Sequence, residues 1–333
     1  MKDDLVDSVS MFQIGGLPGR RPADHLFVLK SVISAYVLMD LPLILSFFDL
    51  KKYFDKELLR DGMNTLWEAG IQGKCYKLWY LLNKNTDIIA KTGAGLTEFA
   101  TAGELLCQEI SGGSLVSSAN LDNGVKKCFD GSEDKISYGS VKMGPLLFQD
   151  DVARISFSRK SAQAGNIKFT HISKMKLLEF HPDKTVHLVI GNETEKKEIK
   201  MDIVKNPLLV DTFTMKNKLC EKWLGDYIHE GGLSESVAAT VKQRSGRTSA
   251  AIFEIKGIID DYRMQRIGGI VAAFDLWEMA VIPSLLNNSE SWTEISSQTM
   301  EDLEELQLLF IRTILETPKT TPKTSLLWET GLF

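Results

Sequence analysis

Asp49 closes the apolar run Leu43-Ile-Leu-Ser-Phe-Phe48, and Asp150 and Asp151 stand side by side between Leu146-Leu-Phe148 and Val152-Ala153. A carboxylate at the end of a buried strand is costly without a cation, and two neighbouring carboxylates also repel each other. Mg2+ answers both problems, because it is a hard ion that takes carboxylate oxygens together with substrate phosphates. Two such ions about 4 Å apart lower the pKa of an attacking hydroxyl and neutralise a leaving pyrophosphate in an in-line displacement. The pairs Asp3-Asp4 and Asp260-Asp261 read as solvated turns. The signal lies in the combination of an apolar strand ending in Phe48-Asp49-Leu50-Lys51-Lys52-Tyr53-Phe54-Asp55 with an apolar-Gln-Asp-Asp-apolar hairpin further on.

These acids need elements to hold them. A turn-rich segment, Gln13-Ile-Gly-Gly-Leu-Pro-Gly-Arg-Arg-Pro22, leads into a helical pattern through Leu26, Leu29, Ile33 and Tyr36. The Leu43 run reads as a buried strand. Amphipathic helices are expected at about 56–68 and 74–83, short strands at about 87–91 and 96–102, and a helix at about 114–129. The stretch 146–155 suits a hairpin with the acids at its tip. A helix near 161–179 then leads to a strand at 186–190 and an exposed charged hairpin at 193–200. Beyond Tyr227 the pattern is helical over about 233–258, 262–286 and 299–315, with Asn287-Asn288 and Pro318 as breaks. This order predicts an α+β fold rather than strict βα alternation. A domain boundary is expected near 216–230, and the chain carries no internal repeat.

The residues quoted so far resemble the reverse transcriptases of LINE-type (non-LTR) retrotransposons. Phe48 to Asp55 resembles that family's motif A, and Phe148-Gln-Asp-Asp151 resembles motif C, whose commoner form is aromatic-Ala-Asp-Asp. Gln108-Glu-Ile-Ser-Gly-Gly-Ser114 and the residues after it look like motif B, His181-Pro-Asp-Lys-Thr185 like motif D, and Trp223-Leu-Gly225 like motif E, the primer grip. Gln13 to Arg21 is similar to the fingers segment ahead of motif A. The resemblance spans roughly 13 to 230 in the family's order of motifs, and the helical remainder is similar to a thumb.

The resemblance implies a polymerase palm, an antiparallel sheet with helices on one face, over 41–215. Partial fingers would occupy 1–40, and a primer grip with helical thumb 216–333. By position, Asp49, Asp150 and Asp151 would bind two Mg2+ ions, with the Leu50 carbonyl completing one coordination sphere. Phe54 would block a ribose 2′-hydroxyl, and Lys184 would donate a proton to pyrophosphate or neutralise it, a surface lysine after a Pro-Asp turn being the bland alternative. Gln108 and Gly113 would position nucleotide and template. Arg20 and Arg21 would contact template or triphosphate, or else form a solvated turn, and Trp223, Leu224 and Gly225 would hold the primer. The implied partners are an RNA template, a DNA primer and deoxynucleoside triphosphates. Nuclear action is implied as well.

Composition sets bounds on this reading. With 44% hydrophobic and 25% charged residues the chain has a globular profile. Its longest uninterrupted apolar runs fall short of a bilayer span, so no membrane is expected. Asp3 and Asp4 stand where a secretory leader needs a basic start, which predicts an intracellular protein. Cys75, Cys107, Cys128 and Cys220 lack Cys-x-x-Cys spacing and are expected to be reduced and mostly buried. A formal charge of −5 requires that any phosphate-binding cations cluster locally. Lys242, Arg244, Arg247 and Lys256 have spacings that could form such a face on one helix. Motif B departs from the family at Glu109, where glycine is usual. Little sequence precedes Gln13, so the upstream fingers strands are expected to be missing, and Thr330-Gly-Leu-Phe333 reads as a truncated end. Two functions remain open: an RNA-directed DNA polymerase, and an inactive truncated remnant with at most nucleic-acid binding.

Overall fold

The structure is a computed structural model that describes residues 2–84, 87–89, 91–93, 95–97, 100–101, 106, 112–129, 136–138, 141–191, 203–206, 209–261 and 266–332. The chain divides into two compact units, Met1–Leu219 and Cys220–Phe333.

The first unit opens with helices α1 (Lys2–Ser8) and α2 (Pro22–Leu38) and the strand β1 (Leu43–Phe48). Helices α3 (Tyr53–Lys56), α4 (Leu59–Glu68) and α5 (Gly73–Asn83) follow, then four two-residue strands: β2 (Asp87–Ile88), β3 (Lys91–Thr92), β4 (Gly95–Leu96) and β5 (Ala100–Thr101). Next come helix α6 (Gly113–Phe129), the hairpin β6 (Ile136–Tyr138) and β7 (Val141–Met143), and the hairpin β8 (Leu146–Phe148) and β9 (Asp151–Ser156). Helix α7 (Arg159–Lys176) is followed by β10 (Val186–Ile190), β11 (Ile203–Asn206), β12 (Leu209–Phe213) and β13 (Lys216–Asn217).

The main sheet has the order β13-β10-β1-β9-β8. All its pairings are antiparallel except β10 with β13, which is parallel, so the expected antiparallel sheet is a mixed one. All six residues of β1 and all five of β10 are buried. Both faces of the sheet's central strands are therefore covered. A strand apolar at nearly every position, with no polar alternation, is what burial of both faces demands. On one of those faces Ile44, Phe48, Val152 and Val189 share a cluster with Leu121 and Val125 of α6 and with Phe169 and Ile172 of α7.

α6 is buried along most of its length even though it carries Ser117, Ser118, Asn120 and Asp122. Each polar group on it that bonds locally lowers the cost of burial. Tyr53 donates to the Ser117 carbonyl at 2.8 Å, Asn120 donates to buried Glu57 at 2.6 Å, and Asp122 accepts from the Ser10 amide at 2.8 Å. Burial pushes the Glu57 carboxyl up despite these bonds.

The second unit begins with the hairpin β14 (Cys220–Trp223) and β15 (Asp226–His229). Helices α8 (Leu233–Asp261), α9 (Arg266–Leu276), α10 (Ile282–Leu285), α11 (Ser297–Leu315) and α12 (Lys323–Thr330) follow. A π-helical turn, Trp277–Val281, joins α9 to α10, just ahead of Pro283, whose missing N–H cannot continue the regular ladder. Trp277 stacks on Phe310 of α11 at 4.4 Å. The stretch Gly268–Ser291 is long and apolar enough to cross a membrane by length and composition, with mean hydropathy 1.6 and 28% of the window buried. The expectation drawn from uninterrupted runs overlooked it because Asp275 and Glu278 break the run without lowering its average enough.

Candidate active site

The acids are placed by strand register. Phe48 pairs with Val152 and Phe148 with Asp151, so one step further along the β1–β9 ladder Asp49 stands opposite Asp151. Asp150 lies in the two-residue loop Gln149-Asp150 that joins β8 to β9. Just past β1 the backbone of Asp49 is held by the segment before β10. The His181 amide donates to the Asp49 carbonyl at 2.9 Å, the Asp49 amide donates to Thr185 Oγ1 at 3.3 Å, and the Lys51 amide donates to the Glu179 carbonyl at 2.7 Å. Those flanking bonds make Leu50 and Phe180 an antiparallel bridge. Lys184 leaves the same turn and reaches the Asp49 carboxylate, Nζ to Oδ2, at 3.3 Å.

The three aspartates share one electrostatic field. Burial raises the Asp150 carboxyl, and the charge of Asp49 adds to the rise. Asp151 is pushed up to about 6, first by loss of hydration and then by the charges of Asp150 and Asp49, against the pull of Lys184. The Asp151 residue itself stands at the exposed rim, so its charge remains open to solvent and ions. Among the described residues no group of three or more His, Cys, Asp or Glu side chains is gathered closely enough to hold a metal ion. The arrangement is thus a set of oxygen donors in excess negative field, with one cation already on Asp49. Hard-oxygen donors of this kind fit Mg2+.

Around this centre, Phe54 is half-buried beside Tyr53, ring edge to ring face at 5.4 Å, and packs on the α6–α7 cluster. Gly113 starts α6 and is buried. Gln108 and Glu109 lie outside the described residues, as does the charged stretch 193–200. Arg20 and Arg21 lie in the exposed turn ahead of α2, where the Arg21 amide donates to Asp24 at 2.9 Å in a capping role.

In the second unit, Leu224 and Gly225 form the two-residue loop of the β14–β15 hairpin, both with positive φ, 48° and 92°. That is the conformation a tight hairpin needs, and it explains the glycine. Trp223 is buried. The loop is held from behind: Asn288 donates to the Leu224 carbonyl at 3.0 Å, and Arg244 donates to the Gly225 carbonyl at 2.8 Å. Arg244 also donates to Asp226 at 2.7 Å and to the carbonyls of Leu285 and Asn287, while the Trp292 indole donates to Asp226 at 3.1 Å. The expected four-cation face is therefore corrected. Arg244 is consumed by this network, and Lys256 pairs with Asp260 and Glu316 at 2.6 Å each. Lys242 and Arg247 are exposed. The cysteine expectation is corrected in part: Cys75 is exposed and Cys128 and Cys220 are half-buried, none of the three in a disulfide. Cys107 lies outside the described residues.

Sequence reasoning missed Thr185 and Gln13 as supports of the acids. Both act on backbone atoms distant in sequence, and no local pattern reports that.

No family model matches the chain, and no curated protein matches it significantly. Solved structures do. A telomerase from Candida albicans in complex with the TWJ fragment of telomeric RNA matches at 11% identity over 100% of this chain and 57% of its own, with a TM-score of 0.51. An apo telomerase from Candida tropicalis matches at 11% identity over 98% of this chain and 59% of its own, with a TM-score of 0.46. The Candida tropicalis enzyme truncated from the C-terminal domain matches at 11% identity over 68% and 42%, again with a TM-score of 0.46. The chain spans less than two thirds of the length of each. These structural neighbours are telomerase reverse transcriptases, and the likeness to the Candida albicans structure is one of fold.

Proposed function

We propose that this chain is the palm-bearing part of an RNA-directed DNA polymerase, using Asp49, Asp150 and Asp151 as its metal-binding carboxylates. The observation that carries the reading is the register that sets Asp49 opposite the Asp150–Asp151 turn, with Asp150 raised by burial and the charge of Asp49, and Asp151 by burial and the charges of Asp150 and Asp49. Groups whose ionised forms are this poorly compensated gain most from a divalent cation. Bound Mg2+ would activate the primer hydroxyl and neutralise the leaving pyrophosphate.

The chain's own residues have distinct parts in this scheme. Asp151, poised near 6, ionises at neutral pH and becomes available as an oxygen ligand. Lys184 balances part of the acid charge by its bond to Asp49, and it is free to turn to a phosphate when a cation takes that carboxylate. Phe54 presents a ring held by Tyr53 and is assigned to exclusion of a ribose 2′-hydroxyl. The hairpin loop Leu224-Gly225, stiffened by Arg244 and Asn288, is assigned to the primer end. Template RNA, DNA primer and deoxynucleoside triphosphates are the proposed partners. A LINE-type lineage is part of this proposal, and it rests on the resemblance of the motifs and their order alone.

One observation favours the second reading, a non-catalytic nucleic-acid-binding remnant: the three aspartates are not gathered into a cage among the described residues. Primer extension on an RNA template with Mg2+ and deoxynucleotides separates the two. The polymerase reading expects extension by the wild-type chain and none by Asp150→Asn. Template binding without extension, equal in both proteins, establishes the remnant.

A further inference from the structure

The hairpin that carries the acidic pair does not hold its own turn. Gln13 is fully buried, and its side-chain amide makes four hydrogen bonds. Its Oε1 accepts from the Gln149 amide at 3.0 Å and from the Gly15 amide at 2.9 Å. Its Nε2 donates to the Gln149 carbonyl at 3.2 Å and to the Ser118 carbonyl at 3.4 Å. Both backbone polar groups of Gln149 therefore end on one side chain, which also ties them to α6. Gln149 has φ 56°, the left-handed region that a residue with a Cβ enters only at a cost. Something must hold it there.

The segment around Gln13 is fixed to the same hairpin. The Ile14 amide donates to the Leu147 carbonyl at 3.0 Å, and the Leu147 amide donates to the Phe12 carbonyl at 2.7 Å. Gly15 approaches so closely that a Cβ there would lie 2.1 Å from the Gln149 nitrogen. Only an amide side chain meets all four partners, since it must accept from two N–H groups and donate to two carbonyls. It also adds no fourth negative charge beside Asp49, Asp150 and Asp151.

We propose that Gln13 is a positioning residue for the acidic turn, clamping the Gln149 backbone so that Asp150 and Asp151 are presented toward Asp49 for metal binding. This rests on the metal-site reading above and deepens it. The test is Mn2+ titration of the full chain followed by electron paramagnetic resonance, with hydrogen exchange at the Gln149 and Gly15 amides. Gln13→Ala and Gln13→Glu weaken Mn2+ binding about tenfold or more, the usual effect of removing a group that orients a ligand, and speed exchange at those two amides. Gly15→Ala leaves the acids and the Gln13 amide intact and has the same effect by pushing Gln149 aside. Adding Gln149→Gly to Gln13→Ala recovers part of the affinity, because glycine adopts the left-handed conformation freely. A role in general stability alone predicts that folded Gln13→Ala keeps the wild-type Mn2+ affinity. Should Gln13→Ala fail to fold, Gln13→Glu and Gly15→Ala carry the comparison. Folded variants that bind Mn2+ as the wild type does overturn the assignment of Gln13. Wild-type binding that is unchanged by Asp151→Asn overturns instead the metal-site reading on which it rests.

Discussion

Replacing Asp151 by Asn should stabilise the metal-free protein and abolish its response to metal. In the folded chain the carboxyl is raised from its ordinary 3.8 to about 6 by burial and by the charges of Asp150 and Asp49. A group whose folded pKa is raised contributes stability in full below 3.8, and that stability is lost as pH rises through about 6. At pH 8 the ionised Asp151 therefore opposes folding. Unscreened, the rise corresponds to about 3 kcal/mol. The residue stands at an exposed rim, where water and salt reduce this to about 1 kcal/mol. In thermal denaturation with chelator at pH 8, Asp151→Asn should melt about 2–4 °C above the wild type, and the gap should close as pH falls to about 4. With Mg2+ the order reverses, because the wild type is stabilised by binding and the variant is not. A variant that melts lower than wild type in chelator, or that keeps the full response to Mg2+, would refute the electrostatic account of this turn.

Other consequences extend across both units. Arg244→Ala strips the buried Asp226 of its cation and should lower stability by about 3 kcal/mol in denaturant unfolding. Arg244→Lys should not rescue it, because one ammonium cannot reach four acceptors in a fork. His187 is buried, with both ring nitrogens lacking a hydrogen-bond partner, and burial with the nearby charge of Arg159 lowers its pKa from 6.5 to about 4. A depressed folded pKa gives stability that is present above 6.5 and lost as pH falls toward 4, amounting to about 3 kcal/mol. His187→Leu should remove that acid sensitivity from urea midpoints measured across this window. In salt-titrated binding to an RNA–DNA hybrid, replacing Lys242 and Arg247 together by Ala should reduce the log–log salt slope by about 2. Lys256→Ala should leave that slope unchanged, since its charge is spent on Asp260 and Glu316.

Where a feature depends on local pattern, the sequence showed it. The unbroken apolar run ending at Asp49 folds as β1, the run around Asp150 and Asp151 folds as a hairpin, and the long periodic stretches fold as α7, α8 and α11. The same run also held an unread signal: with no polar alternation it could not have had a solvated face, and both faces are buried. The parallel edge strand Lys216–Asn217 was not legible, because two residues carry no period and β10 supplies the template. The helix spacing of Lys242, Arg244, Arg247 and Lys256 suggested a shared face but could not reveal that Asp226, Asp260 and Glu316 would claim two of the four. Gln13 was visible only as part of a turn-rich segment, since its partner Gln149 is distant in sequence and is reached through backbone atoms.

The most direct test of the central claim is a crystal structure of the chain with Mn2+, the ion being located by its anomalous scattering. Metal is expected on oxygens of Asp49, Asp150 and Asp151 together, with Lys184 displaced from Asp49. Metal bound elsewhere, or a site that leaves Asp49 paired with Lys184, would contradict that claim.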